Sequence, residues 1–136
     1  LYREEEREMI PLCLDQGVGL IPWSPIARGR LARPVGTQTT RTTQDAYGKF
    51  LFDRTADADA LVITAVQTLA AELGRPMAQI AMAWTRQKAG VAAPIIGITK
   101  ADQLADAVAG LTLTLTAEQV AALEAPYIPH APLGQE

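Results

Sequence analysis

The sequence predicts an α/β fold built on a parallel sheet. Two short, continuous apolar runs, residues 18–23 (VGLIPW) and 91–96 (VAAPII), read as strands buried on both faces. Long helical patterns separate and follow them, which is the alternation of βαβ units. An apolar content of 49% in 136 residues is enough for a core of its own. Two parallel strands cannot satisfy their own edges, so the other strands of the sheet must come from elsewhere. Leu1 in first place, with Leu1-Tyr2 running directly into Arg3-Glu4-Glu5-Glu6-Arg7-Glu8, is likewise what a fragment of a longer chain would show.

The elements follow in order. Residues 4–16 read as a helix: acidic residues crowd the first turn, Met9, Leu12, Cys13 and Gln16 share a face, and Gly17 supplies the stop. Pro11 inside it lacks an N–H and must either kink the helix or mark a late start. Residues 24–56 have no clean periodicity, only Pro, Gly, Thr, Arg and Gln with an aromatic island at Tyr47, Phe50 and Phe52. A loop of that length in a compact domain is functional or mobile. Residues 57–73 are helical, with Leu61, Ala65, Val66, Leu69, Ala70 and Leu73 repeating at spacings of three and four and Gly74 as the stop. Pro76 opens the next helix, which carries Ile80, Ala81 and Trp84 on one side and ends by Gly90. Beyond the second strand, Thr99 reads as an N-cap with Asp102 three residues later, a variant capping box, and Leu104 and Val108 are expected to face inward. Residues 111–115 (LTLTL) alternate as a strand or serve as a connector. Thr116 with Gln119 starts a last capped helix through Glu124, before Pro126 and Pro129 end regular structure.

Charge narrows the function. A formal net charge of −3 argues against wrapping nucleic acid or lying on an anionic membrane, since either needs a broad basic face. Any basic site is local, and one is visible: between Asp15 and Asp45 no acidic residue occurs, while Arg28, Arg30, Arg33 and Arg41 all fall there. Cys13 has no partner for an internal disulfide and reads as a small buried hydrophobe, which suits a reducing, cytoplasmic setting. No run is long and apolar enough to span a bilayer. The sequence points to no metal.

Two constellations carry chemistry. The first, WSPIARGRL, starts at the C-terminal end of a strand, the end where functional loops of parallel α/β folds gather. Trp23 offers a flat ring, Ser24 a hydroxyl, and the backbone with Arg28 a set of donors for phosphate oxygens. The plainer alternative is a core Trp followed by a Ser-Pro turn and solvated arginines. The second, GITKADQLADA, follows the other strand. Gly97 permits close backbone approach, Thr99 and Lys100 present a hydroxyl and a cation at a helix start, and Gln103 and Asp106 share a helix face. Its plainer alternative is a Thr-capped helix with an exposed Lys and Gln.

These residues resemble a known family. WSPIARGRL, Thr39-Thr40-Arg41 and PIIGITKADQL followed by Asp106 resemble the C-terminal part of aldo-keto reductases, especially bacterial ones and their relatives among potassium-channel β subunits. YREEEREMIPLCLDQGVGLIPWSP resembles the sixth helix and seventh strand of that family, so the likeness runs in order over nearly the whole chain. What it implies is a (β/α)8 TIM barrel, of which residues 1–136 would be the C-terminal portion, from helix 6 to the C-terminal helix with strands 7 and 8. It also implies NADP(H) bound across the C-terminal rim. Trp23 would stack on the nicotinamide, and Ser24, Pro25, Ile26, Ala27, Arg28 and Gly29 would line the pyrophosphate. Arg41, helped by Arg33, would cover the cofactor. Gly97, Thr99 and Lys100 would hold the 2′-phosphate, and Gln103 and Asp106 would meet the adenine side. Family members usually have Asn at the place of Ala107 and often Glu at that of Asp106.

The implied reaction is hydride transfer from NADPH to an aldehyde or ketone. The family's proton donor is a Tyr assisted by Lys, Asp and usually His on early strands, and none of these has a counterpart here. Tyr2, Tyr47 and Tyr127 lack the strand-end context, and His130 is expected as an exposed tail residue. The chain is thus expected to supply cofactor recognition without a catalytic residue. A non-catalytic NADP(H)-sensing module and a purely structural fragment are the alternatives.

Overall fold

The protein is described here by a computed structural model covering residues 1–39 and 43–131. Its α-helices are α1 (Met9–Asp15), α2 (Ala46–Phe52), α3 (Ala56–Leu73), α4 (Met77–Gln87), α5 (Ala101–Thr112) and α6 (Ala117–Glu124), with short 3-10 turns at Glu4–Glu6, Ala27–Ala32 and Asp53–Thr55. Pro11 falls in the first turn of α1, where no intrahelical N–H bond is lost, so the proline marks a late start. At the other end Gly17 takes a φ of 66°. The N–H groups of Gly17 and Val18 then donate to the Leu14 and Cys13 carbonyls, at 3.3 and 2.8 Å, and close the helix. Gly74, with a φ of 60°, closes α3 through the matching pair of bonds. Cys13 is half-buried rather than buried, because among the described residues little packs over short α1.

Residues 18–23 and 91–96 do not form the regular, doubly buried strands expected of them. They meet in two isolated parallel bridges, Leu20 with Val91 and Trp23 with Ile95. The bonds are Leu20 N–H to Gly90 C=O, Ala92 N–H to Leu20 C=O and Ile95 N–H to Pro22 C=O, each 2.8 Å, and Ser24 N–H to Ile95 C=O at 3.1 Å. The bridged residues lie three apart on one segment and four apart on the other, so the register slips between them. Pro22 stands where the next donor of the ladder belongs and has no N–H, which breaks the pairing there. Val18, Ile21, Trp23 and Ile95 are each more than half exposed. With no third strand on either side among the described residues, their side chains have little to pack against.

The core lies between helices. Ile63, Val66, Leu69 and Ala70 of α3 meet Met77, Ile80, Ala81 and Ala83 of α4, and Leu115, Leu123, Ala27, Leu31 and Phe52 complete the cluster. Helix α5 packs on α4 through its smallest residues. A Cβ at Gly110 would stand 2.8 Å from Met82 Cβ and 3.3 Å from the Gln79 backbone. The packed face therefore runs through Gln103, Asp106, Ala107 and Gly110. Leu104 and Val108, expected inside, are exposed, because close approach at a glycine decides which face of α5 turns inward. Residues 113–116 form a connector rather than a strand. The Thr116 capping box forms as expected, with Gln119 N–H to Thr116 Oγ1 at 3.3 Å and Thr116 N–H to Gln119 Oε1 at 2.9 Å.

Candidate functional site

The bridge from Trp23 to Ile95 sets the site. Because the two segments run parallel, the chain leaves Trp23 into residues 24–29 and leaves Ile95 into residues 97–100 on the same side of the pairing. The first exit is conformationally unusual. Ser24, Ala27 and Arg28 have φ of 53°, 48° and 55°, followed by Gly29 at 94°. Non-glycine residues there cost about 1–2 kcal/mol each, so such a run persists only when surrounding bonds hold it. Ser24 is that centre: its Oγ accepts the Arg28 N–H at 2.9 Å and its carbonyl the Ala27 N–H at 2.8 Å. Gly29 N–H donates to the Ile26 carbonyl, and Pro25, Ala27 and Gly29 are buried. Arg28 in this tight coil is half-buried, and the Trp23 ring just before it is exposed. Arg33 is exposed and donates weakly from Nη1 to the Gly29 carbonyl at 3.4 Å. Arg41 lies outside the described residues.

At the second exit nothing lies within 4 Å of a Cβ built on Gly97, and Thr99 and Lys100 are exposed. Lys100 makes no ion pair among the described residues. It is Lys100, not Thr99, that caps α5, with no side-chain cap bond. The expected box is pre-empted because Thr99 N–H and Oγ1 both donate to Gln103 Oε1, at 3.0 and 3.2 Å. Asp106 turns inward and accepts from Gln79 Nε2 at 2.9 Å, tying α5 to α4. The two exits thus leave the Trp23–Ile95 pairing in one direction, Arg28 following on the first segment and Thr99 and Lys100 on the second, while Gln103 and Asp106 bond to protein partners.

Two residues without a sequence-assigned role join the first exit. Asp45 forms a two-point pair with Arg28, one arm being Nη2 to Oδ1 at 2.9 Å. Tyr47 stacks on Trp23 with centroids 6.3 Å apart and planes 26° apart, and Phe50 stacks on Tyr47 in turn at 6.2 Å. The aromatic island hinted at the rings. Nothing local in sequence ties Asp45 to an arginine 17 positions away.

A second polar cluster lies elsewhere. His130 is not an exposed tail residue: its side chain is 9% exposed and its Nε2 stands 3.9 Å from Asp59 Oδ1. Its ring stacks on Tyr127 at 5.3 Å, and its backbone N–H donates to Glu4 Oε1 at 2.8 Å. These long-range contacts, absent from any local pattern, fold the tail inward. Asp59 is 1% exposed; burial pushes its carboxyl above the usual carboxylate range, opposed by the Thr55 hydroxyl, which donates at 2.9 Å. The Tyr127 hydroxyl donates to Glu4 Oε1 at 2.7 Å, and burial together with that carboxylate raises the phenol well above its ordinary value. A phenol held so is a poor proton donor, the opposite of what carbonyl reduction requires. Beside it, burial raises Glu6 and Glu124, but Arg3 and Lys88 outweigh it and leave both carboxyls below the usual range. Trp84 Nε1 also donates to Glu124 at 2.9 Å. This network reads as structural.

Among the described residues, no helix is long and apolar enough to cross a membrane, and no group of His, Cys, Asp and Glu could hold a metal ion. Comparison with known proteins is specific. The profile described as "Aldo/keto reductase family" matches residues 1–128. A versiconal hemiacetal acetate reductase of Aspergillus parasiticus is 47% identical over 133 residues, covering 96% of this chain and 38% of that protein. A Schizosaccharomyces pombe protein named as a candidate aryl-alcohol dehydrogenase, C750.01, is 44% identical over 131 residues, 95% of this chain and 39% of its own length. An Alternaria alternata protein, aldo-keto reductase AMT2, is 36% identical over 134 residues, 98% of this chain and 36% of its own. The chain spans little more than a third of the length of these curated relatives.

Proposed function

This chain belongs to the aldo/keto reductase family, and from that premise we propose that its intact form reduces an aldehyde or ketone to the alcohol with hydride from NADPH. The family implies a (β/α)8 barrel, and we assign residues 1–136 to its C-terminal portion, since a full barrel needs about 250 residues. A reducing, cytoplasmic setting goes with this assignment.

The observation that carries it is the parallel bridge between Trp23 and Ile95, which aligns the exits of both segments. The residues there suit a phosphorylated dinucleotide. Trp23 is 54% exposed with a broad ring face, Lys100 has no counter-ion among the described residues, and Gly97 leaves open space at the backbone. NADPH, when bound, supplies the hydride; this chain's residues position it. Trp23 would orient the nicotinamide ring by stacking, and Arg28 would neutralise pyrophosphate charge with its planar fork. Thr99 and Lys100 would grip the 2′-phosphate, giving preference for NADPH over NADH. Ser24, Pro25, Ile26, Ala27 and Gly29 shape the coil that aims Arg28, with Arg33 and Arg41 as further cations. Gln103 would serve the adenine side only by releasing Thr99, and Asp106 only by releasing Gln79. Tyr127 is held by Glu4 and is a poor candidate for protonating a carbonyl oxygen, and on this reading the donor would come from upstream strands of the intact protein.

The test is Lys100→Ala in the intact protein, with both cofactors titrated by calorimetry. Loss of one partly exposed charge-assisted contact should raise the NADPH dissociation constant about tenfold and leave NADH nearly unchanged. Equal effects on both remove the phosphate assignment.

A further inference from the structure

The groups that a dinucleotide needs free are engaged by one short piece of the same chain. Asp45 places its carboxylate on the Arg28 fork, and Tyr47, two residues on, places its ring against Trp23. The Arg28 guanidinium also lies 5.6 Å from the Tyr47 ring centroid, so the three contacts form one unit. We propose that the start of α2, Asp45-Ala46-Tyr47, is an internal stand-in for the cofactor, and that α2 must swing aside before NADPH can bind. This rests on the cofactor assignment above and adds to it a competitor built into the loop.

The chemistry matches at both ends. A guanidinium fork accepts a carboxylate or a phosphate through the same parallel N–H bonds. An indole face accepts a phenol or a nicotinamide by the same offset stacking. The contacts are also of the kind that can open. Trp23 and Tyr47 are 54% and 52% exposed, so separating them uncovers little new surface. Asp45 Oδ1 accepts the Gly48 N–H at 2.9 Å as well as Arg28, so α2 keeps its own cap when the arginine leaves. Phe52, at the far end of α2, is buried in the core and can act as the pivot. A site occupied in this way binds with an affinity reduced by the fraction of time it is open.

The experiment measures NADPH dissociation constants for four variants of the intact protein. Tyr47→Ala should tighten binding about threefold to tenfold, the worth of one aromatic pair, whereas Tyr47→Phe, which keeps the ring, should match the parent. Asp45→Asn keeps the cap but removes the charge on Arg28, and it should tighten binding in the same direction. Trp23→Ala tests the cofactor assignment separately: it must weaken NADPH, and if it does not, that assignment fails whatever Tyr47 does. If Trp23→Ala weakens binding while Tyr47→Ala and Asp45→Asn weaken it or leave it unchanged, the stand-in is overturned and α2 is a helper or a bystander.

Discussion

Gly110→Ala tests the contact that seats the candidate phosphate-binding helix. The new Cβ would stand 2.8 Å from Met82 Cβ, which is fixed to the α4 backbone, and 3.3 Å from Gln79 backbone atoms. Neither neighbour can rotate away, so α5 and α4 must separate. Met82 is 2% exposed, and such overpacking in a filled core costs about 1–3 kcal/mol. Against it, Ala in place of Gly inside a helix stabilises by about 1 kcal/mol. Gly110 is third from the end of α5, where the gain is smaller. Packing wins, and the net loss is about 1–2 kcal/mol. In a domain of barrel size this lowers Tm by about 2–8 °C. Thermal unfolding of the intact protein, followed by circular dichroism, reads it. A variant as stable as the parent, or more so, would refute the close approach and with it the reason Leu104 and Val108 face outward.

Gly97→Ala should behave oppositely. Its Cβ meets nothing within 4 Å, so Tm should hold while NADPH binding weakens several-fold; unchanged binding would show that no ligand approaches Gly97 closely. Asp59→Asn keeps the acceptor for Thr55 and removes a buried charge. Since burial raises the folded-state pKa of Asp59 above its unfolded value, its favourable contribution is present at low pH and lost as pH rises through that raised value. The variant should therefore equal or exceed the parent in denaturant stability at pH 7, and the difference should close or reverse near pH 4. A variant markedly less stable at pH 7 than at pH 4, relative to the parent, would show that the carboxylate is held charged.

Local chemistry was readable in advance. Gly17 and Gly74 end their helices through left-handed caps, and Thr116 with Gln119 starts one, because each device is completed within six residues. The long helix Ala56–Leu73 followed from its own period. Strands were harder, since a strand exists only with its neighbours: residues 18–23 and 91–96 keep the parallel direction expected of them but lose regularity at Pro22 and stay exposed. The inward face of α5 follows Gly110, which lets the helix approach α4, and not the apolar Leu104 and Val108.

By itself, the sequence determined the family, the helix ends at Gly17 and Gly74, the helix start at Thr116, and the two segments that carry the candidate cofactor residues. The tertiary structure alone decided which side chains meet: Asp45 and Tyr47 on the exit that holds Arg28 and Trp23, Asp106 on Gln79, His130 beside Asp59. The physical reason is range. Caps and periodicity act over a turn or two of backbone, whereas these contacts join residues 17 to 71 positions apart and form only once the packed helices have brought them together.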